Sequence, residues 1–164
     1  MAFIVDTIGA MIMHQDGYSP YILSLKEGDC LFKSIINYAS YVNLKSASIS
    51  GIGALSNVTI GFYHRDAKQH TKKLFPKTYE IASLTGNVTL AEQGWFVHIH
   101  AALGSDDFQL FGGHLIDAQA SASTEILIFP LNYTVKREKH PDLDIKVISP
   151  FMNIENRGEY GNDR

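Results

Sequence analysis

Val97-His98-Ile99-His100-Ala101-Ala102-Leu103-Gly104-Ser105-Asp106-Asp107-Phe108-Gln109-Leu110-Phe111-Gly112-Gly113-His114-Leu115 is an apolar run, a short acidic turn and a second apolar run. Strands are expected over Trp95–Leu103 and Phe108–Leu115, with Ser105-Asp106-Asp107 as a hairpin connection. Successive strand side chains face opposite sides, so His98 and His100 project from the same side. His114 follows on the next strand. An odd loop centred on Asp106 pairs positions whose numbers sum to 212 and sets His98 opposite His114, with Cβ atoms about 5 Å apart. A two-residue loop centred between Ser105 and Asp106 instead pairs His98 with Gly113 and turns His114 to the other face, unless a bulge at the two glycines restores it.

Three imidazoles with a vacant fourth position form the open zinc geometry in which a bound water is acidified. The competing reading is two strand histidines serving as satisfied polar groups at a subunit boundary. Against it, imidazoles within a Val/Ile/Phe-rich strand pair leave polar atoms in need of partners, and one cation satisfies three of them.

Outward from this hairpin the chain is strand-rich. Strands are expected over Tyr21–Leu25, Asn57–Tyr63, His70–Phe75, Tyr79–Leu84, Asn87–Leu90 and Thr124–Phe129, with a second hairpin turn at Arg65-Asp66-Ala67-Lys68-Gln69. Leu31, Ile35, Ile36, Ala39 and Val42 recur at helical spacing from about Cys30 to Val42, with Asp29 as the expected N-cap. Ser50-Gly51-Ile52-Gly53-Ala54 is glycine-punctuated, a place for a bend or a close backbone approach. These elements predict an α+β fold, a mostly antiparallel sheet with flanking helices. Residues 1–20 read as an N-terminal segment, 21–131 as the domain and 132–164 as a more polar C-terminal extension. Its end, from Asn156 to Arg164, has the composition of a frayed or partner-docked tail.

The whole chain has 164 residues, 14 Lys+Arg and 17 Asp+Glu, for a formal net charge of −3 with its seven histidines neutral. An apolar content of 45% excludes disorder for the bulk. One cysteine, Cys30, excludes an intramolecular disulfide framework and a cysteine-rich zinc ribbon, so any metal must rest on histidine and carboxylate. The N-terminus lacks a basic n-region and Asp6 interrupts its apolar stretch; with no apolar run near the ~20 residues of a membrane span, a cytoplasmic protein is expected.

From His64 to Lys77 the chain carries Arg65, Lys68, Lys72, Lys73 and Lys77 against Asp66 alone. That segment is a candidate phosphate contact, competing with a solvated hairpin whose lysines protect a sheet edge. Cys30 reads as packing rather than reactive chemistry. A dinucleotide fingerprint, a P-loop and a nucleophile elbow are all missing.

Four segments taken together resemble the PPC domain shared by plants and prokaryotes: Ser50-Gly51-Ile52-Gly53-Ala54-Leu55-Ser56-Asn57-Val58-Thr59-Ile60-Gly61, Tyr79-Glu80-Ile81-Ala82-Ser83-Leu84-Thr85-Gly86-Asn87, Val97-His98-Ile99-His100-Ala101-Ala102-Leu103-Gly104 and Phe111-Gly112-Gly113-His114-Leu115. The resemblance covers about Tyr21 to Leu131. It implies a single domain assembled as a homotrimer, with His98, His100 and His114 holding a divalent metal, zinc being the expected ion. It also implies partner contacts at Tyr79, Glu80 and Ile81. Plant relatives contact DNA through an Arg-Gly-Arg-Pro hook, which this sequence lacks; Thr78 and Ser24 stand where relatives carry arginine. The leading expectation is a metal-bound homotrimeric assembly or regulatory module, DNA-binding-like, with the basic hairpin as its phosphate surface. The alternative is a zinc enzyme acting on a small substrate, with Glu80, Asp106 and Asp107 as the available carboxylates.

Overall fold

The computed structural model describes residues 19–148, together with the backbone of two short paired strands, β1 (Ile4–Val5) and β2 (Met11–Ile12). His14 and the tail from Asn156 to Arg164 lie outside the described residues. Along the chain follow β3 (Tyr21–Leu25), α1 (Leu31–Tyr41), β4 (Ser46–His64), β5 (Gln69–Ala91), β6 (Gly94–Gly104), β7 (Leu110–Leu131), β8 (Arg137–Lys139) and β9 (Lys146–Ile148). The main sheet runs β3-β7-β4-β5-β6, antiparallel throughout, and β6 also pairs with β7. Strands β4 to β7 therefore close on themselves, and closure removes most exposed edges.

The short strands expected from sequence are pieces of three long ones. Asn57–Tyr63 belongs to β4, while His70–Phe75, Tyr79–Leu84 and Asn87–Leu90 run together as β5. Turn-forming residues that suggested breaks are absorbed as irregularities within a continuing strand. The β4–β5 register shifts between Ser50 and Ala54 and again between Ser56 and Val58, and the second shift leaves Pro76 and Lys77 outside the ladder. A proline without an N–H is tolerated there. Gly53 has φ +106°, and a Cβ on it would lie 1.8 Å from the Ser123 carbonyl oxygen, so close backbone approach at this segment is the reason for glycine.

β3 shows the strict alternation its sequence predicts: Tyr21, Leu23 and Leu25 are buried while Ile22 and Ser24 are exposed. Helix α1 inserts Leu31, Ile35, Tyr38 and Ala39 into the same core. It is the one α-helix among the described residues, so the plural flanking helices reduce to one. Asp29 does not cap it; Cys30 is the N-cap residue, without a side-chain hydrogen bond, and the Asp29 carboxylate accepts instead from the Lys26 N–H at 2.9 Å. Inside the closed sheet Leu55, Val58, Leu84, Val88, Ile99, Leu103 and Leu115 are almost fully buried. That burial supplies the main driving force for closure.

Candidate metal centre

On β6 the inward residues are Val97, Ile99, Ala101 and Leu103; His98 and His100 stand on the opposite, outer face. β7 contributes His114 to that face through a register that places His100 opposite His114 and Ile99 opposite Leu115. The paired numbers sum to 214 rather than 212, so the expected pairing of His98 with His114 is corrected by two residues, to His100 with His114. The cause is the turn: Ser105–Gln109 is a five-residue connection closed by Ser105 N–H to Gln109 O at 3.0 Å, with Phe108 at φ +64°. The centre moves from Asp106 to Asp107, and a shift of two in the sum preserves parity. All three histidines consequently share one face.

Close strand approach makes the arrangement possible. A Cβ on Gly112 would lie 2.1 Å from the Ala101 carbonyl oxygen, so this position admits only glycine without backbone displacement. The three rings have centroid separations of 5.3, 5.1 and 5.5 Å, and one nitrogen of each lies within 4.8 Å of the others. Tetrahedral zinc ligands sit ~3.4 Å apart, so an ion would draw the rings slightly inward. The buried His114 Nδ1 has no hydrogen-bond partner, the state expected of a ligand atom. Burial, reinforced by His98 and His100, pushes His114 down to about 4; burial and the Arg137 guanidinium likewise lower His98. Both imidazoles are neutral at neutral pH, the form that ligates a metal. The residues present fit a divalent cation held by three imidazoles.

Beyond the sequence expectations, the structure brings Arg137, Asn87, His70 and Tyr63 to this face. The buried Arg137 donates from Nη2 to His98 Nδ1 at 3.2 Å and to Asn87 Oδ1 at 3.0 Å, from Nε to Thr89 Oγ1 at 3.0 Å and from Nη1 to the Lys146 carbonyl at 3.0 Å. His70 lies with its ring 5.5 Å from His114 and 5.0 Å from Tyr63, its cross-strand neighbour. The one signal for His70 in the sequence is that pairing across the β4–β5 hairpin; Arg137 gives none, because its contacts are all distant in sequence. These residues line an open cleft of about 1040 Å³, whose far wall is Asp144 to Ile148.

The proposed carboxylates are elsewhere. Asp106 pairs with Lys77 at 3.7 Å, Asp107 is occupied by Ser105 and the Gln109 N–H, and neither they nor Glu80 line the cleft. The basic residues do not converge. Arg65 and Lys68 sit at the β4–β5 turn, while Lys72 and Lys73, being consecutive in a regular ladder, face opposite sides of β5. Of the partner-contact candidates, Glu80 is exposed, Ile81 is buried in this chain's own core, and Tyr79 packs edge-on against Phe111 at 4.9 Å.

A closed antiparallel sheet with one helix among the described residues and three clustered imidazoles opening on an apolar cleft defines a small β-rich domain with side chains that could hold a cation. The chain belongs to the Plants and Prokaryotes Conserved (PCC) domain family, which matches residues 14–132. It is similar in structure to a candidate DNA-binding protein from Bacteroides thetaiotaomicron, with TM-score 0.76 and 27% identity over 79% of this chain and 91% of that one. A metal-containing protein from Archaeoglobus fulgidus superposes with TM-score 0.74 and 30% identity, covering 80% of this chain and 93% of that one. A plant- and prokaryote-conserved protein from Pyrococcus horikoshii gives TM-score 0.72 and 29% identity over 79% and 91%. A search of curated proteins finds no match. No helix among the described residues is long and apolar enough to cross a membrane.

Proposed function

We propose that this protein is a metal-binding PCC module in which His98, His100 and His114 hold a divalent cation, zinc by the preference of neutral imidazole ligands, at the base of a small-molecule cleft. The observation that carries this reading is that one ring nitrogen from each of His98, His100 and His114 lies within 4.8 Å of the others, on rings that include the unpartnered, buried His114 Nδ1. The related A. fulgidus protein, described as metal-containing, supports it. When bound, the cation supplies Lewis acidity and an acidified water. This chain's own residues shape the site: Gly112 permits the strand approach that brings His114 beside His98 and His100.

A homotrimer is the assembly we infer, resting on the family resemblance and on exposed apolar residues of the long strands, with Ile52, Phe62, Leu74 and Leu110 all more than half exposed. Within that assembly the module has a regulatory or binding role. The DNA-binding description of the B. thetaiotaomicron relative favours a second reading, nucleic-acid contact through the lysines of the β4–β5 hairpin. The enzyme reading is favoured by the openness of the cleft but, since Asp144 is tied to Lys139 at 2.8 Å, its base would be His70 rather than a carboxylate.

Elemental analysis of purified wild-type protein beside His98→Ala, with mass in solution, tests the assignment. One metal equivalent per chain in wild type and background levels in the variant are expected. Wild-type protein that stays metal-free after supplementation overturns the site, and a monomer overturns the assembly.

A further inference from the structure

We propose that the cleft beside the three histidines binds a small organic anion, a carboxylate carrying an apolar body, with Arg137 and Lys146 supplying the positive wall that selects it. The metal reading adds one of the charges involved but is not required for the comparison below.

Among the described residues no carboxylate pairs with Arg137 or Lys146, the two cations that line this cleft. Arg137 is 9% exposed, and its four acceptors, Thr89 Oγ1, Asn87 Oδ1, His98 Nδ1 and the Lys146 carbonyl, are all neutral. Its cation also lies over the Phe96 ring at 5.0 Å, and Lys146 Nζ lies over the same ring at 5.7 Å. The carboxylate in the cleft lining is Asp144, and Lys139 holds it at 2.8 Å. Three imidazole ligands bring no negative charge either, so a dication would raise the uncompensated total further. Buried charge of one sign is costly unless an opposite charge completes it. Arg137 has five N–H groups and four acceptors among the described residues, which leaves one Nη1 N–H for an incoming oxygen.

The remaining lining is apolar. Phe62, Phe96, Ile145, Val147 and Ile148 face a volume sufficient for a ligand of drug-like size. Anionic head and apolar body are thus both provided for. The wall that carries Arg137 and Lys146 consists of β8, β9 and their connection, which follow the family-matched residues 14–132.

The test uses phenylacetate and its uncharged isostere phenylacetamide, titrated calorimetrically into the full-length protein, metal-free and zinc-loaded, with metal content measured on the same samples. Phenylacetate is expected to bind at least about tenfold more tightly than the amide in both forms, the scale of one charge-assisted hydrogen bond. Arg137→Gln should cut that preference to less than about twofold and Arg137→Lys should retain part of it. Lys146→Gln should reduce it by about two- to threefold, and it decides the matter should the buried Arg137→Gln not fold. Equal binding of acid and amide, no binding of the acid, or a preference unchanged by these substitutions overturns the proposal. Failure to take up zinc defeats the cation assignment alone, because the acid-over-amide preference of the metal-free protein still reads the arginine.

Discussion

The β6–β7 hairpin and the β4–β5 hairpin are both antiparallel pairs rich in titratable side chains, yet one concentrates them and the other disperses them. In the first, His98 and His100 are two residues apart and the register adds His114 to the same face. In the second, Lys72 and Lys73 are neighbours and so part to opposite faces, while Lys77 is tied to Asp106. Spacing of two across a fixed register builds a site; a run of like residues along one strand does not. Net charge counts conceal this difference, because the five cations from Arg65 to Lys77 look denser in sequence than the three histidines.

The contrast can be broken most forcefully at its centre. His114→Ala removes a ligand, and metal content measured by elemental analysis is expected to fall from one equivalent to background while the fold persists. Gly112→Ala places a methyl 2.1 Å from the Ala101 carbonyl and forces β6 from β7; a loss of about 2–4 kcal/mol in urea unfolding is expected, together with lost metal.

A milder effect comes from protons. His114 is held at about 4 against an ordinary value of 6.5, so the unfolded chain takes up a proton where the folded, metal-free chain does not. Its depressed folded value means that stability is fully present above about pH 6.5 and declines as pH falls toward 4; His98, lowered in the same direction, adds to the decline. Unfolding midpoints from pH 8 to 4 check this, and a flat profile would count against buried neutral imidazoles.

The smallest change is expected at the lysines. Lys72→Gln and Lys73→Gln should each alter stability by less than about 0.5 kcal/mol and leave metal content untouched. Binding to duplex DNA measured at 50 and 200 mM salt then decides whether that hairpin contacts phosphates: a steep salt slope, reduced in the variants, supports it.

Much of the fold was legible because local pattern and burial agree. Tyr21 to Leu25 alternates and is half buried; Leu31 to Ala39 repeats at helical spacing and packs inward. Strand length was not legible. Pro76, Gly51 and Gly86 carry turn chemistry locally, but closure of the sheet offers partners to both sides and converts breaks into bulges or continuous ladder. Of the candidate site, His98 and His100 follow from a spacing of two, whereas the partner of His114 depended on whether the turn was three residues or five.

The sequence by itself determined the antiparallel class, the core face of each well-patterned element and the common face of His98 and His100, since these rest on periods of two and 3.6 that any local chain obeys. Tertiary structure alone decided that His114 faces His100, that the strands fuse and close, and that Arg137 reaches His98 across 39 positions of sequence. Those outcomes depend on register and on packing between distant segments, where the free energy is set by the whole closed sheet rather than by any one stretch of chain.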